Sequence, residues 1–223
     1  MKSMLPLLLF LCAETPAIAQ EYPAKPIRII VAFAPGASTD ILARAVAQRF
    51  TEVFGQTAIV ENRAAGGGGT VGTAFAAKVP PDGYTLLMAN NSTHAVAPHL
   101  YKKPGYDALR DFAPISLVGW VPLALVTHPS LPVRDVKELV ALARSRPGQL
   151  MYSSSGTGTT LHLAGELLKS LAKIDIVHIP YKGAGLGAID LVGGQVQFAF
   201  LSISAGLPFI RQNRLREIGR AHV

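Results

Sequence analysis

Ile27-Arg28-Ile29-Ile30-Val31-Ala32-Phe33-Ala34-Pro35-Gly36-Ala37-Ser38-Thr39-Asp40-Ile41-Leu42-Ala43-Arg44-Ala45-Val46 is the stretch that decides the fold class. It opens with a β-rich apolar run, turns at Pro35-Gly36, and then places Ile41, Leu42, Ala45, Val46 and Phe50 at helical spacing. It reads as strand, loop, helix. The same unit recurs outward along the chain. Residues 57–60 form a second apolar run, residues 66–69 a glycine loop, and a helix is predicted from about Thr70. Residues 85–89 read as a strand, with Asn90-Asn91-Ser92-Thr93 as the loop after it. Further strands are predicted at 123–127, 151–154, 174–179 and 197–201, followed by helices from Val136, Thr160, about Ala184 and near Ser204. Strands alternating with helices predict an α/β fold of mainly parallel sheets covered on both faces. Pro104, Pro114 and Pro122 punctuate an irregular stretch around 111–121, which predicts a boundary between two lobes, 20–118 and 119–216.

The composition agrees with a packed domain. Of 223 residues 49% are hydrophobic and 16% charged, with one cysteine, 21 glycines and 16 prolines. That excludes a disordered chain, a collagen and a disulfide-stapled miniprotein. The formal charge of +7 is spread as single and paired residues without a basic run, and few aromatics lie among them. Nucleic acid is therefore a poor partner, whereas the summed field favours small anions.

Both ends read differently from the middle. Lys2, the apolar run at 5–12 and the small-x-small site Ala17-Ile18-Ala19 make residues 1–19 a signal peptide cut after Ala19. The run is too short to span a bilayer. A lipoprotein reading of Cys12 is weaker, because bulky Leu11 precedes it. Cys12 leaves with the peptide, so the mature chain is expected to have neither disulfide nor thiol chemistry and, in a bacterium, to be a soluble periplasmic protein. At the other end, Glu217-Ile218-Gly219-Arg220-Ala221-His222-Val223 matches the translation of a common short-read library adapter up to its stop codon. The natural sequence is accordingly expected to run only to about Arg216, with residues 217–223 foreign to it.

Loops that leave the carboxyl ends of parallel strands carry the chemistry of such folds, because helix N-termini there present unpaired N–H groups and a positive dipole end. Two loops fit. In residues 34–40, Ser38 or Thr39 is placed to cap the helix and Gly36 lets the backbone approach a ligand. Residues 153–160, Ser-Ser-Ser-Gly-Thr-Gly-Thr-Thr, are dense in hydroxyls and free of charge. Either loop alone reads equally as a capped turn; a pair in different lobes suits a shared carboxylate or phosphate.

Sharper chemistry is not supported. Gly156-x-Gly158 has Leu161 where a dinucleotide fingerprint needs its third glycine, and no GxxxxGK[ST] occurs. Ser38 lacks the second glycine of a hydrolase nucleophile turn. Ser170-x-x-Lys173 has a nucleophile spacing but ends a helix with no partner element. His94, His99, His128, His162 and His178 have no cysteines or paired carboxylates at metal spacing, so packing or hydrogen bonding is their expected role. No cofactor and no metal are expected. The competing class is a periplasmic α/β enzyme, hydrolase or oxidoreductase, using the same loops.

A resemblance adds to this reading. The ordered series Tyr22-Pro-x-Lys25-Pro26-Ile27-Arg28, Phe33-x-Pro35-Gly36-x-x-x-Asp40, Val60-Glu61-Asn62-Arg63 with its glycine run, and Pro81-Asp82-Gly83-Tyr84-Thr85-Leu86 resembles the Bug-type substrate-binding proteins of tripartite tricarboxylate transporters. The later half agrees in the family's order: Ser154-Ser155-Gly156-x-Gly158-Thr159-x-x-His162-Leu163 with Glu166-Leu167, Pro180-Tyr181-Lys182-Gly183, and Gly193-Gly194-Gln195-Val196. The resemblance covers residues 22–216. It implies a two-lobed periplasmic-binding-protein fold of type II that closes on a small carboxylate (a di- or tricarboxylate, an acidic amino acid or an aromatic acid) and delivers it to the transporter's integral-membrane permease subunits. It implies no catalysis, and a monomer. By position it implies ligand contacts from Phe33, Ala37, Ser38 and Asp40 in the first loop and from Ser155, Gly156, Thr157, Gly158, Thr160 and His162 in the second. Asn90, Ser92, Tyr181, Lys182, Gly183 and Ala184 would complete the cleft. Asp40 is expected to organise its loop rather than touch an anion, since like charges repel. Lys182 is either a counter-charge or a solvated lysine on a turn. Ala34, Ala37 and Gln197 depart from the family's frequent residues. In the family the chain recrosses to the first lobe after the position of Arg216, so the chain as written is expected to leave apolar surface on that lobe.

Overall fold

The computed structural model describes residues 21–65 and 67–221. The leader read at 1–19, Gly66, and His222-Val223 lie outside the described residues. The first sheet comprises β1 (Ile27–Val31), β2 (Ala58–Asn62) and β3 (Thr85–Leu87), in the order β2-β1-β3 with both pairings parallel. Parallel neighbours need a crossover, which α1 (Ser38–Phe54) and α2 (Thr70–Ala76) supply. The central place of β1 accounts for its composition: Ile27, Ile29, Ile30 and Val31 are all buried. On α1, small Ala43 and Ala47 pack with Ile29, Val31 and Phe33, letting the helix lie close to the sheet. Gly55 ends α1 in a left-handed conformation, with its N–H donating to the Thr51 carbonyl.

The segment after β3 is helical, not the open loop expected at residues 90–92. A π-turn, Ser92–Val96, runs into α3 (Ala97–Leu100). Asn90 explains the difference. Its backbone carbonyl accepts from the Thr93 N–H and hydroxyl, at 3.1 and 3.0 Å, and its side-chain oxygen also accepts from that N–H, so the first turn is closed locally.

The second sheet comprises β4 (Leu123–Thr127), β5 (Met151–Ser154), β6 (Val177–Pro180), β7 (Phe198–Ser202) and β8 (Arg216–Ala221), in the order β6-β5-β7-β4-β8. Its helices are α4 (Val136–Ser145), α5 (Thr160–Ala172), α6 (Ala184–Val192) and α7 (Ile203–Arg211). β5 pairs parallel with β6 and β7, but β4 pairs antiparallel with β7 and β8. The sheet is therefore mixed rather than mainly parallel. β7 and β8 run the same way, joined by α7, and β4 arrives from the interlobe segment to fill the place between them in the opposite sense. Alternation along β4 supplies both faces of the core: Val126 packs with Leu191, Ala199 and Leu201, and Leu125 with Leu139, Tyr152 and Phe198. Burial of each large side chain contributes about 1.5–3 kcal/mol.

Two boundaries differ instructively from the sequence. Ile174 and Ile176 precede β6 yet are buried, so their alternation marks core packing rather than strand pairing. Residues 217–221, expected to be foreign to the fold, pair with β4 at the sheet edge. Ile218 is buried in the core and Gly219 lies against Val136, which is sufficient to seat an edge strand whatever its origin. Between the sheets, residues 101–122 contain no strand. Tyr106 is buried there and donates its hydroxyl to the Thr93 carbonyl, while Ile115, Leu117 and Trp120 are exposed.

Candidate functional site

Residues 32–37, 155–159 and 181–183, which follow β1, β5 and β6, and Ser92, shortly after β3, make contacts between the lobes. Backbone groups take part in most of the contacts. The Ala34 N–H donates to the Lys182 carbonyl at 3.2 Å, and the Tyr101 hydroxyl donates to the Thr157 carbonyl at 2.9 Å. The Thr160 N–H donates to Ser92 Oγ at 3.1 Å, and the two hydroxyls lie 3.3 Å apart. Glycines permit this closeness. A methyl on Gly183 would stand 2.9 Å from Ala34 Cβ, and one on Gly68 would stand 3.1 Å from the Thr157 carbonyl oxygen.

Helix caps differ among the helices that begin at the junction: Thr159 caps α5, whereas α1 and α6 are bare. The N-terminus of α4 is capped by Asp135 and that of α7 by Ser202. α1 and α6 have no side-chain cap: their N-cap positions are Ala37 and Gly183. Neither Ser38 nor Thr39 caps α1; Ser38 lies within its first turn, and the Thr39 hydroxyl is buried without a hydrogen-bond partner in the described structure. Residues 34–36, which lead into α1, touch residues 182–185, which lead into and open α6, one segment from each lobe. The helices' free N–H groups and dipole ends make that junction attractive to an anion.

Asp40 holds the first loop. It is buried, and its carboxylate accepts from the Gly36 N–H at 3.0 Å, from Asn62 at 2.9 Å and from Arg44. Burial alone would raise its pKa, but these hydrogen bonds and the Arg44 charge outweigh it and hold the carboxyl below the usual range. Asn62 also donates to the Phe33 carbonyl, and Phe33 itself is buried beneath Gly69.

The second loop is tied to a polar cluster behind it. Ser154 Oγ accepts from the Gly156 N–H at 3.1 Å and lies 2.6 Å from His178 Nε2. The Gly158 N–H donates to His162 Nδ1 at 3.2 Å. Thr159 caps α5 and also donates its hydroxyl to the Gly156 carbonyl. The rings of His162 and His178 lie tilted by 33° with centroids 4.2 Å apart, and the Tyr152 hydroxyl donates to Glu166 Oε1 at 2.8 Å. Burial, with His162 beside it, pushes the His178 pKa down to about 4.

The residues expected at the site are thus placed unevenly. Ala37, Ser38, Ser92, Gly156, Thr157, Thr160, Gly183 and Ala184 lie in or beside the segments that meet, with Ser155 between β5 and Gly156. Tyr181 is turned away: its hydroxyl donates to Asp190 at 2.6 Å, and burial together with that carboxylate pushes its pKa up to about 12. Lys182 presents its carbonyl to the first lobe while its side chain is exposed. Asn90 closes its own turn. The sequence offered no role for Asn62, Tyr101 or Gly67–Gly69. Tyr101 lies outside every motif, whereas the glycine run was visible as a loop without any sign of what it would touch. Among the described residues no group of three His, Cys, Asp or Glu is placed to hold a metal ion.

Comparison with known proteins agrees with this architecture. Protein BugT of Bordetella pertussis is 41% identical over 204 residues, covering 91% of this chain and 62% of that protein. The chain thus spans less than two thirds of BugT's length. A solved R. palustris protein with adipate superposes with a TM-score of 0.87 at 35% identity, covering 90% of this chain and 67% of that one. MatC from Rhodopseudomonas palustris with bound malate superposes with a TM-score of 0.84 at 29% identity, covering 90% of this chain and 68% of that one. Residues 42–222 match the family described as "Tripartite tricarboxylate transporter family receptor" (TctC), to which this chain belongs.

Proposed function

We propose that this chain is the solute-binding receptor of a tripartite tricarboxylate transporter, taking a small carboxylate between its lobes and handing it to integral-membrane permease subunits. The observation that carries this reading is the pair of helices without side-chain caps, α1 and α6, whose leading residues touch across the lobe junction. Backbone N–H groups at such ends bind carboxylate without a fixed cation, and both bound relatives hold dicarboxylates, adipate and malate. Loop residues Ala37, Ser38, Ser155, Gly156, Thr157, Gly158, Thr160 and Ala184 are assigned to the ligand's shell, with Asp40 holding the first loop in shape. The family is one of receptors rather than enzymes. Export to the periplasm follows from the leader read at residues 1–19, with N-terminal sequencing of the exported protein expected to begin at Gln20.

A thermal-shift panel of citrate, malate, adipate, acidic amino acids and aromatic acids, followed by calorimetry on any hit, tests the reading. A true ligand at a hundredfold its Kd stabilises the chain by about 2.7 kcal/mol, and is recovered unchanged. Chemical conversion of the hit, or a melting temperature unmoved by every acid, would overturn it.

A further inference from the structure

The two helices α4 and α5 begin with the same bracket. In α4 the N-cap Asp135 accepts from the N–H of Glu138, and Glu138 reaches back to accept the Arg134 N–H at 2.7 Å. In α5 the N-cap Thr159 accepts from the N–H of His162, and His162 Nδ1 reaches back to accept the Gly158 N–H at 3.2 Å. This reciprocal arrangement is a capping box shifted by one residue, and its usual third-position residue is Glu or Gln. α5 alone uses an imidazole, and it does so at the helix that opens from the proposed ligand loop.

We propose that His162 is a positioning residue: in its neutral form it fixes the 155–160 loop through Gly158, and its protonation loosens that loop and weakens carboxylate binding. The inference rests on the receptor reading above. The bond from Gly158 needs an unprotonated Nδ1, which places the ring proton on Nε2, facing Glu166 Oε1 at 4.0 Å. A proton on Nδ1 would set two donors against each other. The groups facing the ring are Glu166 from its own helix, Tyr152 from β5 through Glu166, and His178 from β6, which burial keeps neutral. An imidazolium at this place would also attract an anion. Glu166 opposes that attraction, because a carboxylate beside the cation leaves little net field at the loop. Loss of order therefore governs the sign, and affinity falls as the pH falls.

The test compares the full chain with His162→Gln and His162→Ala between pH 8 and pH 5.5, using malate and adipate as probes. Gln keeps an acceptor of the reach that Glu138 demonstrates and removes the titration, while every other titration, the ligand's included, is shared with wild type. The wild-type Kd is expected to rise about fivefold relative to the Gln variant across this range, the worth of one hydrogen bond. The Ala variant is expected to be weak at both ends. The Gly158 amide, followed by hydrogen exchange without ligand, is expected to lose protection on acidification in wild type and to keep it in the Gln variant. Glu166→Gln uncovers the imidazolium charge and is expected to abolish or reverse the pH trend. A wild-type Kd that tracks the Gln variant at every pH, or Gly158 protection that does not respond to pH, would overturn the proposal while leaving the receptor reading intact. Absence of binding by any acid would sink the receptor reading, and Gly158 exchange would still decide whether His162 positions the loop.

Discussion

Asp40 illustrates how one side chain shapes a loop through its hydrogen bonds. Its carboxylate joins the Gly36 N–H, Asn62 and Arg44 in a buried cluster, so Asp40→Ala leaves several polar groups without a partner. The expected cost is about 3 kcal/mol of stability, read from denaturant melts at pH 7. The pH dependence has a definite sign. Because the folded carboxyl lies below its ordinary range, its contribution is complete above the unfolded pKa and is lost as pH falls through the lower folded value. Melts of wild type and Asp40→Asn should therefore converge as the pH falls through that lower folded value. Gly165 makes a different residue-scale point. Alanine gains about 1 kcal/mol of helix propensity over glycine, but a methyl here would run into the fully buried Tyr152 ring. Gly165→Ala is expected to destabilise by about 1–3 kcal/mol, and an unchanged or raised melting temperature would show that the ring can yield. That Asp40 would organise its loop was expected from its charge, and its bonds to the Gly36 N–H and Asn62 do hold that loop. That Asn62 would be its partner was not, because the pair is 22 residues apart in sequence and meets only through the β1–β2 register.

At the scale of elements, α4 carries a side-chain cap away from the lobe junction, while α1 and α6 meet the junction without one. Asp135→Ala is expected to cost about 1 kcal/mol, measurable as a fall in denaturation midpoint, with carboxylate affinity unchanged because α4 lies outside the junction. The converse experiment is Ala37→Asp. A carboxylate at the bare N-cap of α1 would satisfy its first-turn N–H groups and repel an anionic ligand, lowering affinity by more than about tenfold. Retained affinity would remove α1 from the site. Strand and helix existence was readable from periodicity, since apolar runs and helical spacing report local burial. Strand direction in the second sheet was not. The antiparallel insertion of β4 between β7 and β8 depends on where the chain enters the lobe, which no local pattern records.

For the whole molecule, closure rests on backbone meeting backbone. Gly183→Ala would press a methyl on Ala34 and break the Ala34–Lys182 hydrogen bond, so the lobes should sit further apart. Small-angle scattering should report a larger radius of gyration and calorimetry a weaker Kd, with each lobe's secondary structure intact. An unaltered Kd would mean that the junction is not where the ligand is held. The interlobe segment carries the second molecular-scale expectation. Ile115, Leu117 and Trp120 are 79%, 67% and 74% exposed, a contiguous apolar strip that favours association. Sedimentation should show concentration-dependent self-association that Leu117→Lys with Trp120→Ser diminishes.

The amino-acid order alone determined the α/β class, the units of strand, loop and helix, and the glycine- and hydroxyl-rich character of the loops at 34–40 and 153–160, because periodicity, glycine placement and turn chemistry act over a few neighbouring residues. Only the tertiary structure decided which of those loops touch, which helix ends stay uncapped, and that His162 serves Gly158 while Tyr181 serves Asp190. Those outcomes depend on sheet order and register, which bring distant segments within hydrogen-bond reach.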